Sequence, residues 1–215
     1  MNAPVETFPA LSNVTCVRHE FTLRVPNLDV KTDRATALRL LAEHHANARH
    51  SLIGGQRFVT AEQVHGNKVA VVNEQSRDFF PDADGLVTNS DKVCLGIYVA
   101  DCCAVYFVDP VRRAIGLVHS GKKGTDLGIV PRAIAAMREA FGSEPQDLVV
   151  QLSPCIRPPH YDVDFAAQII AQARAGGVQH IHDCCLNTGA DTRRYYSYRV
   201  EKGRTGRMLA LLALI

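Results

Sequence analysis

Three residues in this chain combine types and positions that could do chemistry. His65, Cys102 and His119 each stand where an apolar run stops, in Gln63-Val64-His65-Gly66, Ala100-Asp101-Cys102 and Val118-His119-Ser120-Gly121. Imidazole nitrogen and thiolate sulfur are donors that zinc accepts, and three protein donors leave a fourth position for water or substrate. A thiol beside an imidazole is equally the pairing of a nucleophile with its base. A single histidine is an ordinary surface or hydrogen-bonded residue. Two histidines and a thiol at strand ends, two of the three followed closely by glycine, point to one centre.

The elements around them must supply the positioning. Val14 to Val25 reads as a first strand, and Asp33 as the cap of a helix from Arg34 to about His50, with Leu38, Leu41 and Ala42 facing inward. Phe58–Thr60 and Lys68–Asn73 read as strands flanking the His65 turn, and Asn73 to Lys92 as polar and turn-rich with a bend at Asp84-Gly85. Val93–Ala100, Cys103–Val108 and Ala114–His119 are apolar, β-branched strands, the last two joined through Asp109-Pro110. A two-residue loop there sets Cys102 opposite His119, with Cβ atoms about 4.5–5.5 Å apart, and sends Cys103 to the other face. A three-residue loop would set Cys103 there instead. Geometry alone says that one of the two thiols meets His119.

Beyond that hairpin, Thr125 or Asp126 opens a helix to Phe141 that Gly142 closes, with Pro131 late for a first turn. Leu148–Leu152 is a strand, Asp164 caps a helix to Ala175, and Tyr195–Val200 and Met208–Leu214 are closing strands around a Gly203 turn. Strands outnumber helices and read as largely hairpin-linked, so the fold class is α+β, a single layered domain of mixed β-sheet flanked by helices over residues 1–215.

With 47% hydrophobic and 21% charged residues, the chain can bury a sizeable core. Its net charge of +2 is scattered, without the basic stripe and interleaved aromatics of a nucleic-acid binder. No apolar run reaches the length of a membrane span. Met1 to Ala10 lacks a secretory pattern, so the expected location is the cytoplasm. In that reducing compartment seven cysteines are thiols or ligands; Cys16, Cys94 and Cys155 read as small buried hydrophobes, as does at least one of Cys184 and Cys185. His180 and His182 alternate on a strand-like segment, a pattern that makes at most an adventitious surface metal site.

Six blocks in order resemble the YfiH-like family, also named laccase-domain or multicopper polyphenol oxidoreductase. They are Gln63-Val64-His65-Gly66, Asp82-Ala83-Asp84-Gly85-Leu86-Val87-Thr88, Ala100-Asp101-Cys102, Val118-His119-Ser120-Gly121 with Gly124-Thr125, Ser153-Pro154-Cys155-Ile156, and Arg194-Tyr195-Tyr196-Ser197-Tyr198-Arg199 with Thr205-Gly206-Arg207. The resemblance implies a zinc-dependent purine nucleoside phosphorylase acting on adenosine, inosine, guanosine and methylthioadenosine with phosphate, and adenosine deaminase activity beside it. It implies that His65, Cys102 and His119 hold the metal and are catalytic, and so selects Cys102 over Cys103. Copper is disfavoured, because nine scattered histidines do not supply the clusters a multicopper centre needs.

The chain departs from the family where His119-Ser120-Gly121-Lys122-Lys123-Gly124 replaces His-Ala-Gly-Trp-Arg-Gly, where an Arg-x-Gly-Gly loop is reduced to Arg24-Val25-Pro26, and where Ala104 replaces proline. Arg24, Asp101 and Lys123 are the candidate substrate-binding residues, Lys123 supplying charge without a guanidinium fork. Two rival readings stand beside the phosphorylase. One is a cysteine-dependent amidase of peptidoglycan precursors, with Cys102 as nucleophile and His119 as base. The other is a diverged, non-catalytic metal-binding paralogue.

Overall fold

The longest apolar runs of the chain become strands covered on both faces. A strand flanked by two packed layers has no polar face to show, so its sequence loses alternation. That is the state of Val93–Val99, Cys103–Asp109, Ala114–Ser120 and Met208–Leu214, buried almost throughout. The computed structural model describes residues 4–53 and 55–215; Met1 to Ala3, part of the stretch read above for a leader, and Gly54 lie outside them.

In chain order the elements are β1 (Val5–Glu6), α1 (Pro9–Ser12), β2 (Val17–Thr22), α2 (Arg34–Leu40), α3 (Ala42–Ile53), β3 (Arg57–Ala61), β4 (Val69–Val71), β5 (Phe79–Phe80), β6 (Gly85–Thr88), β7 (Val93–Val99), β8 (Cys103–Asp109), β9 (Ala114–Ser120), α4 (Lys122–Asp126), α5 (Ile129–Phe141), β10 (Val149–Leu152), α6 (Phe165–Ala175), β11 (His180–Asp183) and β12 (Met208–Leu214). The strands form two mixed sheets, ordered β1-β2-β12-β7-β3-β5 and β11-β10-β8-β9-β6-β4. Phe21, Leu95, Ile97 and Leu212 of the first meet Leu86, Tyr106, Ile115 and Leu117 of the second in one core. On the outer side of the second sheet, Val105, Phe107 and Val118 pack on Ile134 and Met137 of α5 and Ile169 of α6. Outside the first, Leu209, Leu211 and Ala213 pack on Ala48 and Leu52 of α3. The result is four layers: helix, sheet, sheet, helices.

The α+β class holds, with a different connectivity. β8–β9 is a tight antiparallel hairpin, but most neighbouring strands arrive by crossovers, and β7 and β8, adjacent in sequence, lie in different sheets. The hairpin register also differs from both expectations. Asp109 pairs with Ala114 around a four-residue loop, and Ala104, not Cys102 or Cys103, lies opposite His119. The loop is two residues longer than the first reading, so parity is preserved: Cys102 still points to His119's side, as a diagonal neighbour, and Cys103 still points away into the α5–α6 core.

Other boundaries shift for identifiable reasons. Asp33 does cap α2, accepting from the Thr36 amide at 3.0 Å, but the helix breaks at Leu41 and resumes as α3. Gly128, at φ +75°, splits the helix expected from Thr125 into α4 and α5; Pro131 then falls in the first turn of α5, where its missing N–H costs nothing. The stretch from Asn73 to Lys92 is not merely turn: it contains the buried strand β6, paired with both β9 and β4. Tyr195–Val200 is a series of turns rather than a strand. Its two buried aromatics are fixed singly, the Tyr196 hydroxyl accepting from Val25 N at 3.0 Å and the Tyr195 hydroxyl donating to Glu6 at 3.2 Å, instead of through a ladder.

Candidate metal centre

The His65 turn carries the chain from β3 in one sheet to β4 in the other, and it reaches the ends of β8 and β9 as it crosses. Here His65, Cys102 and His119 converge, their donor atoms all within 4.8 Å of one another. His65 Nε2 lies 3.9 Å from Cys102 Sγ, and the two imidazole rings meet edge to face with centroids 4.7 Å apart. The backbone pays local strain for this: Gln63, His65 and Asp101 all take positive φ, at 66°, 61° and 79°.

Asp84 holds the arrangement together, and it is the residue that sequence reasoning treated as a bend. Fully buried, it accepts three successive amides of the His65 turn: Val64 at 3.1 Å, His65 at 2.9 Å and Gly66 at 2.7 Å. The same carboxylate meets His119 Nδ1 at 2.8 Å. A carboxylate on Nδ1 fixes the ring's tautomer and leaves Nε2 for a ligand, the usual outer support of a metal-bound histidine. Burial alone would push the Asp84 carboxyl up, yet the hydrogen bonds from His119 and the turn amides hold it below the ordinary range.

The thiol and imidazole share a proton in favour of charge. Burial pushes Cys102 up, but His119 and His65 outweigh it and bring the thiol down to about 6. His119 moves the other way: burial lowers it, and Cys102 with Asp84 raises it to about 9. Gly121 completes the fit, since a Cβ there would lie 2.5 Å from Cys102 Sγ. Two imidazoles and a depressed thiol, spaced as vertices around one point and kept clear by a glycine, suit a tetrahedral ion with one open position. Among the described residues this is the one His, Cys, Asp and Glu cluster with such spacing.

The three donors form one end of a cavity of about 780 Å³. Tyr98, Ile156, Tyr161, Phe165 and Tyr198 give it aromatic and apolar walls; Arg34, Lys122, Lys123, Arg199, Lys202 and Arg207 give it charge. A cavity of this size holds a small organic molecule with its polar partners. Tyr161 and Phe165 bring two rings to this wall, edge to face with centroids 6.1 Å apart.

The remaining candidates divide. Lys123 and Asp101 line the cavity. Both Asp101 oxygens are already engaged, accepting from the Thr188 hydroxyl and the Arg199 amide at 2.7 Å each, so it anchors the wall rather than facing an open space. Arg24 does not line the cavity. Its guanidinium pairs with Glu201 at 2.5 Å, donates to the Tyr195 carbonyl and lies 4.4 Å over the Tyr196 ring. Glu201 in turn accepts from Thr205 at 2.5 Å and from the Ser197 amide at 3.0 Å, so this pair buckles the loop that carries Tyr198, Arg199 and Lys202 into the wall. Cys184 is half-buried and Cys185 exposed, and His180 and His182 stand exposed on β11, apart from the centre.

A family model described as multi-copper polyphenol oxidoreductase laccase matches residues 27–168 and 160–215. A purine nucleoside phosphorylase of Deinococcus radiodurans is 30% identical over 235 aligned residues, covering 92% of this chain and 89% of the relative. Purine nucleoside phosphorylase YlmD of Geobacillus stearothermophilus is 30% identical over 224, covering 86% and 80%. Its crystal structure superposes with a TM-score of 0.78 at 25% identity over 96% of this chain and 94% of that one. Neisseria meningitidis protein NMB0706 shares the fold at a TM-score of 0.83 and 21% identity, covering 100% and 99%.

Proposed function

The chain belongs to the multi-copper polyphenol oxidoreductase laccase family, whose YfiH-like motifs it carries, and from that premise we propose that it is a zinc-dependent purine nucleoside phosphorylase. The observation that carries the reading is the His65–Cys102–His119 cluster opening into a cavity with aromatic walls and cationic side chains. A purine offers a flat π-face to Tyr161, Phe165 or Tyr198, and phosphate is a dianion that seeks arginine and lysine.

His65, Cys102 and His119 would hold the ion, which when bound supplies Lewis-acid polarisation of a substrate atom. The donor set favours zinc over copper: one cluster of two imidazoles and a thiolate does not make a multicopper centre. Phosphorolysis breaks the N-glycosidic bond, the purine leaving with the electron pair while a phosphate oxygen bonds C1′ of the ribose. The chain's part is to fix both reactants in line and to offset the phosphate's charge, a positioning and electrostatic task. Asp84 keeps His119 oriented throughout, and the Arg24–Glu201 buckle keeps the cationic wall in place.

Adenosine deamination at the same centre is an accompanying proposal, as are a cytoplasmic location and residues 1–215 as one enzyme domain. The core shared by the two sheets supports the last. The charged thiol–imidazole pair also suits the nucleophile-and-base reading, but a third donor, His65, beside Cys102 is better explained by an ion than by an attack on an amide.

The test is to incubate the protein with adenosine, inosine, guanosine and methylthioadenosine, with and without phosphate, and separate the products. Free base that appears only with phosphate is the expected result, and inosine formed from adenosine without phosphate would report the deaminase. Turnover of none of them would remove the phosphorylase reading and bring forward the amidase or the non-catalytic one.

A further inference from the structure

Two of the cavity's cations differ from the rest. Lys122 is paired with Asp126 at 2.9 Å, and Arg199 lies 3.7 Å from Asp162 while covering the Tyr161 ring. Lys123 and Lys202 are exposed side chains on flexible stems. Arg34 and Arg207, by contrast, have no carboxylate within ion-pair distance among the described residues. Each donates only to main-chain carbonyls: Arg34 Nη2 to Glu62 at 3.2 Å, and Arg207 Nη1 to Thr205 and Gly206 at 2.9 Å each. Arg207 stands directly before β12, and its own carbonyl contacts His45 Nε2 at 3.1 Å, so its backbone is tied to α3. Its Nη1 is held by two carbonyls, while Nε and Nη2 have no hydrogen-bond partner among the described residues.

Both guanidinium groups line the same cavity. Burial is the main cause that lowers Arg207 from its ordinary value, and the Arg34 charge is the next. Two like charges facing one cavity, one exposed and one half-buried, favour an anion that joins them. A guanidinium fork matches the oxygens of phosphate in a way an ammonium does not.

We propose that Arg34 and Arg207 form the seat of a phosphate dianion in the cavity beside His65, Cys102 and His119. Lys123 becomes a secondary contact, and Arg24, the arginine the motifs single out, serves the wall rather than the anion. The inference rests on the phosphorylase reading for its biological meaning, but the seat itself is a matter of binding. It makes α2, through its first residue, a contributor to the site.

Isothermal titration of the purified protein with inorganic phosphate, without nucleoside, tests it independently of turnover. Arg34→Gln and Arg207→Lys should each weaken phosphate binding about tenfold or more, the loss of one or more charge-assisted hydrogen bonds. Arg39→Gln, which removes a charge from the same helix outside the cavity, should leave it unchanged. Far-ultraviolet circular dichroism and the thermal midpoint check that each variant is folded, and Arg34→Gln, at an exposed position, supplies the answer should Arg207→Lys fail to fold. Phosphate affinity within about twofold of wild type in the folded variants would overturn the seat, since a lost guanidinium contact costs more than that. If phosphate binding falls as expected while no nucleoside turns over, the seat stands and the phosphorylase reading fails. If phosphorolysis proceeds with its phosphate dependence unchanged in the variants, the reading stands and the seat fails. A nucleoside 5′-monophosphate identifies the source of the anion. Displacement of phosphate by the monophosphate but not by the parent nucleoside would assign the seat to an esterified phosphoryl group, and phosphate binding undiminished by saturating monophosphate would assign it to free phosphate.

Discussion

Asp84 links the two histidines of the proposed centre more directly than any bond between them. One carboxylate accepts three amides of the His65 turn and orients the His119 ring, with no exposure to water. Replacing it by asparagine keeps the size but puts an NH2 group against donors that need an acceptor. Asp84→Asn should therefore cost about 2–4 kcal/mol of stability and roughly 10–100-fold in metal affinity. Urea unfolding and zinc titration measure the two; unchanged zinc affinity would mean that Asp84 serves the fold alone. The neighbouring thiols give the complementary test. Cys102→Ser should lose most of the bound zinc, whereas Cys103→Ser, whose sulfur is buried against Ser153 and the α5–α6 core, should retain it and cost only about 1 kcal/mol. The reverse pattern, read by mass-spectrometric zinc content, would contradict the assignment of faces.

Elements were legible to the degree that one strand or helix explains its own pattern. The apolar runs of β7, β8, β9 and β12, the Asp33 and Asp164 caps and the Gly142 stop could all be read locally, because capping and burial act within a few residues. What could not be read was which sheet each strand joins, since a doubly covered strand looks the same in either layer. Strand β6 was hidden because its four residues follow two acids in a polar stretch; the signal available was the apolar Leu86-Val87 pair just after Asp84-Gly85. The thiol's face survived an incorrect register because only parity matters to it. Arg24 was assigned from a motif position, and the partner that reassigns it, Glu201, is distant in sequence. The buckle they form makes its own prediction. Glu201→Gln should speed amide hydrogen exchange across residues 197–203 and raise the nucleoside KM severalfold, with less effect on kcat. Unchanged exchange there would show that the loop is held by Asp101 and Arg204 instead.

At the scale of the whole molecule, the centre lies where two stacked sheets meet, so the site depends on the core between them. Among the described residues no helix is long and apolar enough to cross a membrane. Two buried histidines on the first-sheet side connect the fold to pH. Burial holds His19 and His45 each down to about 4, and His19 Nε2 accepts the Phe8 amide at 2.7 Å, which only a neutral ring can do. Both values lie below the unfolded value near 6.5, so the unfolded chain binds the extra protons. Their stabilisation is complete above about pH 6.5 and is lost as pH falls toward about 4, by up to about 3 kcal/mol per histidine. Urea midpoints from pH 7.5 to 4.5 should fall accordingly, and His19→Gln should flatten the decline; a midpoint independent of pH over that range would refute it.

The central claim is that nucleoside and phosphate react together in the cavity beside His65, Cys102 and His119. Phosphorus-31 magnetic resonance of the protein with inosine and inorganic phosphate reads that reaction without an auxiliary enzyme. A sugar-1-phosphate resonance should grow one for one with released hypoxanthine and be absent from His119→Ala. Hypoxanthine without that resonance, or the resonance undiminished in His119→Ala, would contradict that claim.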